Sequence, residues 1–309
     1  MQKVGVVGLG SIGFNMAKNL VEAGYELSVF DINPHPMDEL ERYGARKTNS
    51  PREVGASAHI VFLMVQNFSQ CESCLTGNDG IMQGMEDGAI IVTSTIAPDE
   101  VREIEGICSK KGIEVLDSPV SGGVKGAESG SLTLMVAGKK ELYDFCLPVL
   151  HVVGSNVRKV GDEIGLGQAI KAVNQHLVSI HLVAMAEALA LGVKGGLDPE
   201  LIYDVVKDSA GNSWMFEDKV PGILERDFLP RSSLDIQKKD LDICIHTGNQ
   251  LQVPLFLGSA CKEIYKLADA KNLDQEDSST LVKIYEELGD LLVTKDDSKN
   301  PERGWNYAK

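Results

Sequence analysis

Short apolar runs alternate with helical stretches over the first half of the chain. The candidate strands are near-continuous Val, Ile and Leu runs, as expected for strands buried on both faces of a parallel sheet; they cover residues 3–8, 26–30, 60–64, 89–93, 113–116 and 133–137. Candidate helices at 12–23 and 98–110 lie between them, and Gly24 follows the first helix at a position typical of a C′ glycine. The alternation predicts an α/β fold with a doubly wound, mostly parallel sheet.

The second half of the chain has a different pattern. After Gly161 the strand signal ends, and helical periodicity continues nearly to the end of the chain. The pair Asp198-Pro199 is typical of a helix start, with the aspartate as N-cap and the proline at the first helical position. We therefore predict an α/β domain over residues 1–163 and an all-helical domain over residues 164–309.

The helical domain is expected to begin with a long apolar helix at about residues 168–193. Its hydrophobic residues occupy nearly all faces, so we expect the helix to be buried between domains or between subunits. This favours a homo-oligomer, a dimer or a tetramer, over a monomer.

The most apolar part of this helix, residues 177–193, contains His181 and Glu187 and falls short of the length that a membrane span needs, so no membrane association is expected.

Composition and charge narrow the possible partners. The 309 residues are 43% hydrophobic and 24% charged, and 45 acidic against 30 basic residues give a formal net charge of −15. Binding to a phosphate backbone needs a basic surface, so no nucleic-acid partner is expected.

The first strand candidate begins at residue 3, which leaves no room for a signal segment before it, and the six cysteines are scattered. Both features predict a cytoplasmic protein with reduced thiols.

Metal chemistry is not indicated by the sequence. The six histidines show no metal-site spacing, and the single C-x-x-C pair, Cys71 and Cys74, has no second pair or nearby histidine. We interpret this pair as a coincidence of a helical turn. No metal is expected.

A glycine-rich motif follows the first predicted strand and begins the first predicted helix, which is the context that dinucleotide binding requires. It consists of Gly8, Leu9, Gly10, Ser11, Ile12 and Gly13. Gly8 permits the tight turn, Gly10 lets a pyrophosphate approach the backbone, and Gly13 allows close packing of helix on strand.

Asp31 ends the second strand, where a carboxylate binds the ribose 2′-hydroxyl and repels a 2′-phosphate. No arginine occurs at residues 32–36. The predicted cofactor is therefore NAD rather than NADP.

Other segments combine polar side chains in unusual places. Ser121, Gly122 and Gly123 follow the fifth strand and are compatible either with a carboxylate-binding loop or with a flexible glycine turn. Lys171, Asn174 and Gln175 stand at i, i+3 and i+4 of an apolar helix and so share one face. A lysine in apolar surroundings is costly without a purpose, which favours a functional role. Residues 238–241 (Lys-Lys-Asp-Leu) would by themselves be a surface charge run.

Taken together, these segments resemble the β-hydroxyacid dehydrogenase family, which includes 3-hydroxyisobutyrate, tartronate-semialdehyde and 6-phosphogluconate dehydrogenases. The resemblance covers nearly the whole chain and rests on residues 7–13, 117–123, 126–127, 130–133, 165–175 and 239–241. It implies an NAD-binding Rossmann domain, a helical domain, and a substrate bound between them. It also implies roles for Lys171 as the catalytic acid or base, Asn174 and Gln175 as substrate-orienting amides, Ser121, Gly122 and Gly123 as the substrate-carboxylate loop, Lys239 as a lysine near cofactor and substrate, and Thr95 as a residue beside the nicotinamide ribose.

One position departs from the family's best-known members, which have Asn where this chain has Gln175. Together with residues 211–216, this departure is similar to the sugar-acid branch that includes L-threonate dehydrogenase. The implied activity is NAD-dependent oxidation of a small hydroxycarboxylic acid. The alternatives are a 3-hydroxyisobutyrate or tartronate-semialdehyde type of dehydrogenase and, from another class, a non-catalytic NAD-binding sensor or scaffold. An imine reductase would be expected to replace the lysine.

Overall fold

A computed structural model describes residues 2–296 of the chain. Within this range nine strands form one sheet. They are β1 (Lys3–Val7), β2 (Glu26–Phe30), β3 (Arg46–Lys47), β4 (Ile60–Leu63), β5 (Ala89–Val92), β6 (Glu114–Asp117), β7 (Val120–Ser121), β8 (Thr133–Ala137) and β9 (Asn156–Gly161). The six predicted strands are all present, and the structure adds the three short or edge strands β3, β7 and β9.

The sheet has the doubly wound topology that the alternating pattern predicts. Its order is β3-β2-β1-β4-β5-β6-β8-β7, with β9 also paired to β8. The pairs from β3 to β6 are parallel, whereas β8 is antiparallel to β6 and β7. Strand β1 lies between β2 and β4, so the chain winds outward in both directions from this point. Ligands of such sheets bind at the carboxyl ends of the strands beside this switch point.

Helices cover both faces of the sheet and then make up the rest of the described chain. They are α1 (Ser11–Glu22), α2 (Pro34–Tyr43), α3 (Pro51–Ser57), α4 (Phe68–Thr76), α5 (Pro98–Ser109), α6 (Gly123–Glu128), α7 (Lys140–Val153), α8 (Leu166–Lys194), α9 (Pro199–Lys207), α10 (Trp214–Leu224), α11 (Leu234–Gln250), α12 (Phe256–Asp269) and α13 (Val282–Gly289). Two 3₁₀ turns, Ile81–Gln83 and Ser278–Leu281, complete the elements.

Successive residues of the central strands alternate between two hydrophobic cores. In β4, Ile60 and Phe62 face a core built with α1, α2 and α7, whereas Val61 and Leu63 face one built with α3, α4 and α5. All four side chains are fully buried. This confirms the expectation of strands buried on both faces, and it explains why their sequences are continuous rather than alternating apolar runs.

Local signals at helix ends are also confirmed. Gly24 follows α1 with φ +87°, a conformation that costs glycine little and other residues much. The Asp198 side chain accepts a hydrogen bond from the Glu200 backbone N–H at the start of α9, with Pro199 in the first turn. Helix α8 begins and ends within a few residues of the predicted bounds.

The chain divides into two compact units, Met1–Ala172 and Val173–Lys309, of which residues 297–309 lie outside the described part. The division falls inside α8, whereas the sequence pattern placed the domain boundary near residue 163, where the sheet ends and the helices begin. The second unit has its own core, formed by residues such as Leu182, Leu189 and Phe216.

Helix α8 is less enclosed than its composition predicts. Within the chain, Val173, Leu177 and Leu191 are 63%, 50% and 75% exposed. By length and composition alone, α8 could cross a membrane: it has 29 residues, and its most apolar stretch has a mean hydropathy of 1.7 and is 44% buried within the protein. A core helix of a globular protein has the same length and composition, and one face of α8 lines the core of the second unit with Leu182, Val183, Met185, Ala186, Leu189 and Val193. The expectation for residues 177–193 stays a prediction.

Candidate functional site

The glycine-rich loop lies between β1 and α1, at the carboxyl edge of the sheet. A Cβ at Gly8 would lie 2.2 Å from the Met64 carbonyl oxygen, and one at Gly13 would lie 2.1 Å from the Gly8 oxygen. The protein's own packing therefore requires both glycines. A Cβ at Gly10 would meet no heavy atom within 4 Å, so internal packing does not explain that glycine. The close approach of a pyrophosphate at the N-terminus of α1 does, and the loop fits a dinucleotide.

Asp31 at the end of β2 is held against this loop. Its Oδ2 atom accepts the Leu9 backbone N–H at 2.6 Å, and its Oδ1 atom accepts the Asn33 N–H at 2.7 Å. Each carboxylate oxygen can accept a further hydrogen bond, so the group can bind a ribose hydroxyl without losing either backbone partner. The next residue, Ile32, is 93% exposed and carries no charge that would attract a 2′-phosphate.

Thr95 lies in the short segment between β5 and α5, also at the carboxyl edge. The residues on either side of it bind one buried side chain, since Gln168 donates from Nε2 to the Ser94 carbonyl oxygen at 3.0 Å and accepts the Ile96 N–H at 3.2 Å. Ser94 is held further because its hydroxyl accepts the Val65 N–H at 2.8 Å. The Thr95 backbone is thus fixed on both sides.

The loop of Ser121, Gly122 and Gly123 connects β7 to the short helix α6. Gly122 has φ +132° and Gly123 has φ +61°, both in the region that favours glycine. A Cβ at Gly123 would meet no heavy atom within 4 Å, and this residue is exposed. The glycine pair therefore gives the loop a conformation that leaves the backbone at Gly123 open to a ligand.

Lys171 is brought to the start of this loop. The side chain is 6% exposed, and its Nζ atom donates a hydrogen bond to the carbonyl oxygen of Val120 at 2.7 Å. Val120 directly precedes Ser121, so the ammonium group and the predicted carboxylate loop are neighbours. The expectation that Lys171 is embedded rather than solvated is confirmed by its burial.

The start of α8, which carries Lys171, is anchored by a buried carboxylate. Asp117 Oδ2 accepts the backbone N–H groups of Gly165 at 2.9 Å and Gln168 at 3.1 Å. Burial raises the pKa of Asp117 to about 6, and the hydrogen bonds from the Gln168 and Gly165 backbone oppose this shift. At neutral pH the carboxylate is therefore ionised and is a strong acceptor for the free N–H groups of a helix start.

In the second unit, Gln175 and Lys239 both bind Asp240, and Asn174 binds Gln175. Gln175 Nε2 donates to Asp240 Oδ2 at 2.6 Å, and Lys239 Nζ lies 2.8 Å from Asp240 Oδ1. The Asn174 side chain donates to Gln175 Oε1 at 2.8 Å. Gln175 is 5% exposed, so its amide is oriented from both ends, by Asn174 and by the carboxylate.

The predicted site residues thus form three groups in the structure: the glycine-rich loop with Asp31, the Ser121 loop with Lys171, and Lys239 with the two amides. Sequence reasoning did not assign roles to three buried residues that hold these groups, namely Asp117, Gln168 and Asp240. All three lie inside the motifs that carry the family resemblance. Their position in those motifs was the sequence signal from which a role could have been inferred.

Residues 2–296 contain all six histidines and all six cysteines of the chain. No group of three or more His, Cys, Asp or Glu residues in this range is placed to hold a metal ion. None of the six cysteines, which all lie within residues 2–296, forms a disulfide, and Cys71 and Cys74 both lie on α4. Burial raises the pKa of the Cys74 thiol to about 11, which keeps it protonated and unreactive at neutral pH.

Two protein-family models together cover most of the chain. The model described as the NAD binding domain of 6-phosphogluconate dehydrogenase matches residues 3–161. The model described as NAD-binding of NADP-dependent 3-hydroxyisobutyrate dehydrogenase matches residues 165–285. The two matches meet between the end of β9 and the start of α8.

Similar proteins extend over almost the full length. L-threonate dehydrogenase of Cupriavidus necator is 36% identical over 92% of this chain and 96% of its own length. 2-(Hydroxymethyl)glutarate dehydrogenase of Eubacterium barkeri is 34% identical over 94% of this chain and 97% of its own. The crystal structure of a 3-hydroxyisobutyrate dehydrogenase from Salmonella typhimurium is 35% identical, with a TM-score of 0.86 over 92% of this chain and all of that chain.

Proposed function

The chain belongs to the β-hydroxyacid dehydrogenase family, and from this premise we propose that it oxidises a four-carbon sugar acid such as L-threonate with NAD. It is an NAD(P)-dependent oxidoreductase that acts on a CH–OH group of a small carboxylate. The proposal concerns the substrate, the preferred cofactor and the roles of individual residues.

One observation carries the proposed chemistry: the buried amine of Lys171 is held beside the loop of Ser121, Gly122 and Gly123. Lys171 Nζ lies 2.7 Å from the Val120 oxygen, one residue before Ser121. A substrate whose carboxylate is bound by the Ser121 hydroxyl and the N–H groups of Gly122 and Gly123 would present its neighbouring hydroxyl group to this amine.

The residues then have separate tasks in the reaction. Bound NAD supplies the hydride acceptor. Lys171 receives the proton of the substrate hydroxyl, acting as a general base, and returns it as a general acid in the reverse direction. Thr95, fixed on both sides by Gln168, lines the nicotinamide side of the site. Asn174 and Gln175 follow Lys171 by one turn of α8 and orient the reacting hydroxyl, which contributes by positioning.

A substrate screen tests this proposal. The purified protein is incubated with NAD and, in turn, with L-threonate, other four-carbon sugar acids, 3-hydroxyisobutyrate, 2-(hydroxymethyl)glutarate and glycerate, whose oxidation gives tartronate semialdehyde, and NADH absorbance is followed. We expect the highest kcat/KM with a four-carbon sugar acid. A higher value with 3-hydroxyisobutyrate or with 2-(hydroxymethyl)glutarate would contradict the substrate assignment. Binding of NADH without turnover of any acid would favour the non-catalytic alternative.

Cofactor preference depends on Asp31. Replacing Asp31 by alanine is expected to raise the KM for NAD and to reduce discrimination against NADP, because a ribose partner and a charge that repels the 2′-phosphate are lost together. Steady-state kinetics with both cofactors measure this. Asp38→Asn is a matched control, since it removes a charge from the neighbouring helix α2, where Asp38 pairs with Lys47 on the protein surface, and it should leave the preference unchanged. Equal use of NAD and NADP by the unmodified protein would refute the assignment.

We further propose that the protein is a homo-oligomer. The apolar side chains of α8 that the chain leaves exposed, Val173, Leu177 and Leu191, would be covered by a second copy. Sedimentation velocity is expected to show a dimer or a tetramer at micromolar concentration. A monomer under these conditions would refute this proposal and leave the enzymatic one intact.

A further inference from the structure

The first turn of α8 is held by side chains from two other elements of the same unit. Asp117, at the end of β6, is fully buried and accepts the N–H groups of Gly165 and Gln168. These groups belong to the helix start, where backbone N–H groups lack partners within the helix. Arg102 of α5 donates from Nε to the Ile164 carbonyl oxygen at 3.1 Å. The chain is thus fixed immediately before the helix and in its first turn.

Gln168 connects this helix start to the segment that carries Thr95. The side chain is 1% exposed, and both ends of its amide bind backbone atoms, those of Ser94 and Ile96. Ser94 and Ile96 are the two sequence neighbours of Thr95. Because the Gln168 amide binds the backbone on both sides of Thr95, it fixes the backbone conformation of Thr95 and connects this segment to α8.

Lys171 completes the connection one turn later. It follows Gln168 by three residues in α8 and donates to Val120, which follows Asp117 by three residues. The helix and the segment 117–120 are therefore joined at two points, by the carboxylate at the helix start and by the ammonium group. A lysine side chain has four rotatable bonds, so its amine is precisely placed only when the backbone that carries it is also fixed.

We propose that Asp117 and Gln168 are positioning residues for the reaction, acting through Lys171 without touching the substrate. The inference rests on the proposed role of Lys171. Together the two residues set the distance between the lysine amine, the carboxylate loop and the nicotinamide side of the site. A displacement of about 1 Å in such an arrangement can cost on the order of 100-fold in rate.

A purely structural role predicts different behaviour. If Asp117 and Gln168 only satisfy buried polar groups, their replacement lowers the melting temperature and affects turnover no more than an equal loss of stability elsewhere. If they position Lys171, kcat falls while the affinity for NADH and the KM for the acid stay nearly constant, and the loss depends on the presence of the lysine.

The experiment uses the full-length protein and the best substrate of the screen. Gln168→Met keeps the length of the side chain and removes both hydrogen bonds, and Asp117→Asn keeps the shape and removes the charge. For each variant, kcat, KM, the Kd for NADH and the melting temperature are measured, alone and combined with Lys171→Met. Glu286→Gln is the matched control, because Glu286 is a buried carboxylate of the second unit that binds Arg226 and the Val293 N–H.

We expect Gln168→Met to lower kcat by about 10- to 100-fold, with the Kd for NADH changed less than about 3-fold. In the Lys171→Met background the same change should lower the residual kcat by less than about 2-fold, because the group that it positions is gone. Glu286→Gln should lower the melting temperature without this loss of kcat.

The positioning role is overturned if Gln168→Met lowers kcat equally with and without Lys171, or if it lowers kcat no more than Glu286→Gln does at a similar melting temperature. If Asp117→Asn does not fold, the Gln168 variants decide the question alone. Failure of the underlying proposal looks different, since Lys171→Met by itself would then keep turnover near that of the unmodified protein.

Discussion

Replacing Lys171 by methionine is expected to lower turnover at least about 100-fold, the lower range for loss of a general acid or base. Methionine keeps the apolar stem of a side chain that is 6% exposed, so the packing around α8 should survive. The affinity for NADH should not change, because the glycine-rich loop and Asp31 bind the cofactor independently of this residue. Steady-state kinetics and NADH fluorescence titration separate the two effects.

Lys171→Arg is the second variant needed here. Arginine keeps a positive charge near the Val120 carbonyl oxygen but cannot lose its proton. If Lys171 acts only by its charge, the arginine variant should keep most of the activity. If it transfers the proton, both variants should lose turnover. Retained turnover in the methionine variant would move proton transfer elsewhere, and Lys239 would be the next candidate.

Shortening Gln175 to asparagine is expected to change which acid the enzyme prefers. Asparagine withdraws the amide by about 1.5 Å, one carbon–carbon bond. The hydrogen bond to Asp240, now 2.6 Å, would then be lost, and so would the bond that orients Asn174. Losses of this kind in positioned sites can reach the order of 100-fold. We expect kcat/KM to fall more for L-threonate than for 3-hydroxyisobutyrate, which shares the reacting hydroxyl but has a methyl group in place of further hydroxyls.

The measured quantity is the ratio of these two kcat/KM values before and after the substitution. Gln237→Asn is the matched control, since Gln237 is also a buried glutamine of the second unit and binds the Ser232 hydroxyl. It should leave the ratio unchanged. An unchanged ratio in Gln175→Asn would show that this residue does not select the substrate, and the sugar-acid assignment would then depend on residues 211–216.

Strands that lie in the middle of the sheet were predictable from the sequence, whereas those at its edges were not. The central strand β4 is four fully buried apolar residues, and this composition occurs in few other contexts. Strand β9 includes Arg158 and Lys159 and is partly exposed along its length. One of its faces needs no apolar side chains, so the sequence carries no strand signal. Its pairing with β8 is made by the backbone ladder and by the Asn156 side chain, which donates to the Thr133 hydroxyl at 3.1 Å.

The candidate site shows the same division between local and long-range information. The backbone requirements of Gly8 and Gly13 were predictable because they are properties of a tight turn and a close helix–strand contact: Gly8 has a positive φ, and a Cβ at Gly13 would clash with the Gly8 oxygen. The burial of Lys171 also followed from its apolar neighbours in the helix. These properties depend on backbone geometry within a few residues, which residue type and spacing report directly.

The sequence by itself determined the doubly wound sheet, the nucleotide loop and the family, because each is encoded in short segments whose residue types have few alternatives. Only the tertiary structure decided how Asp117, Gln168 and Asp240 are used. Gln168 binds residues that are more than 70 positions away, and Asp240 binds Gln175 across 65 positions. A buried amide or carboxylate must find a partner, but its own sequence neighbourhood does not say which one. That choice is made only when the strands and helices have packed.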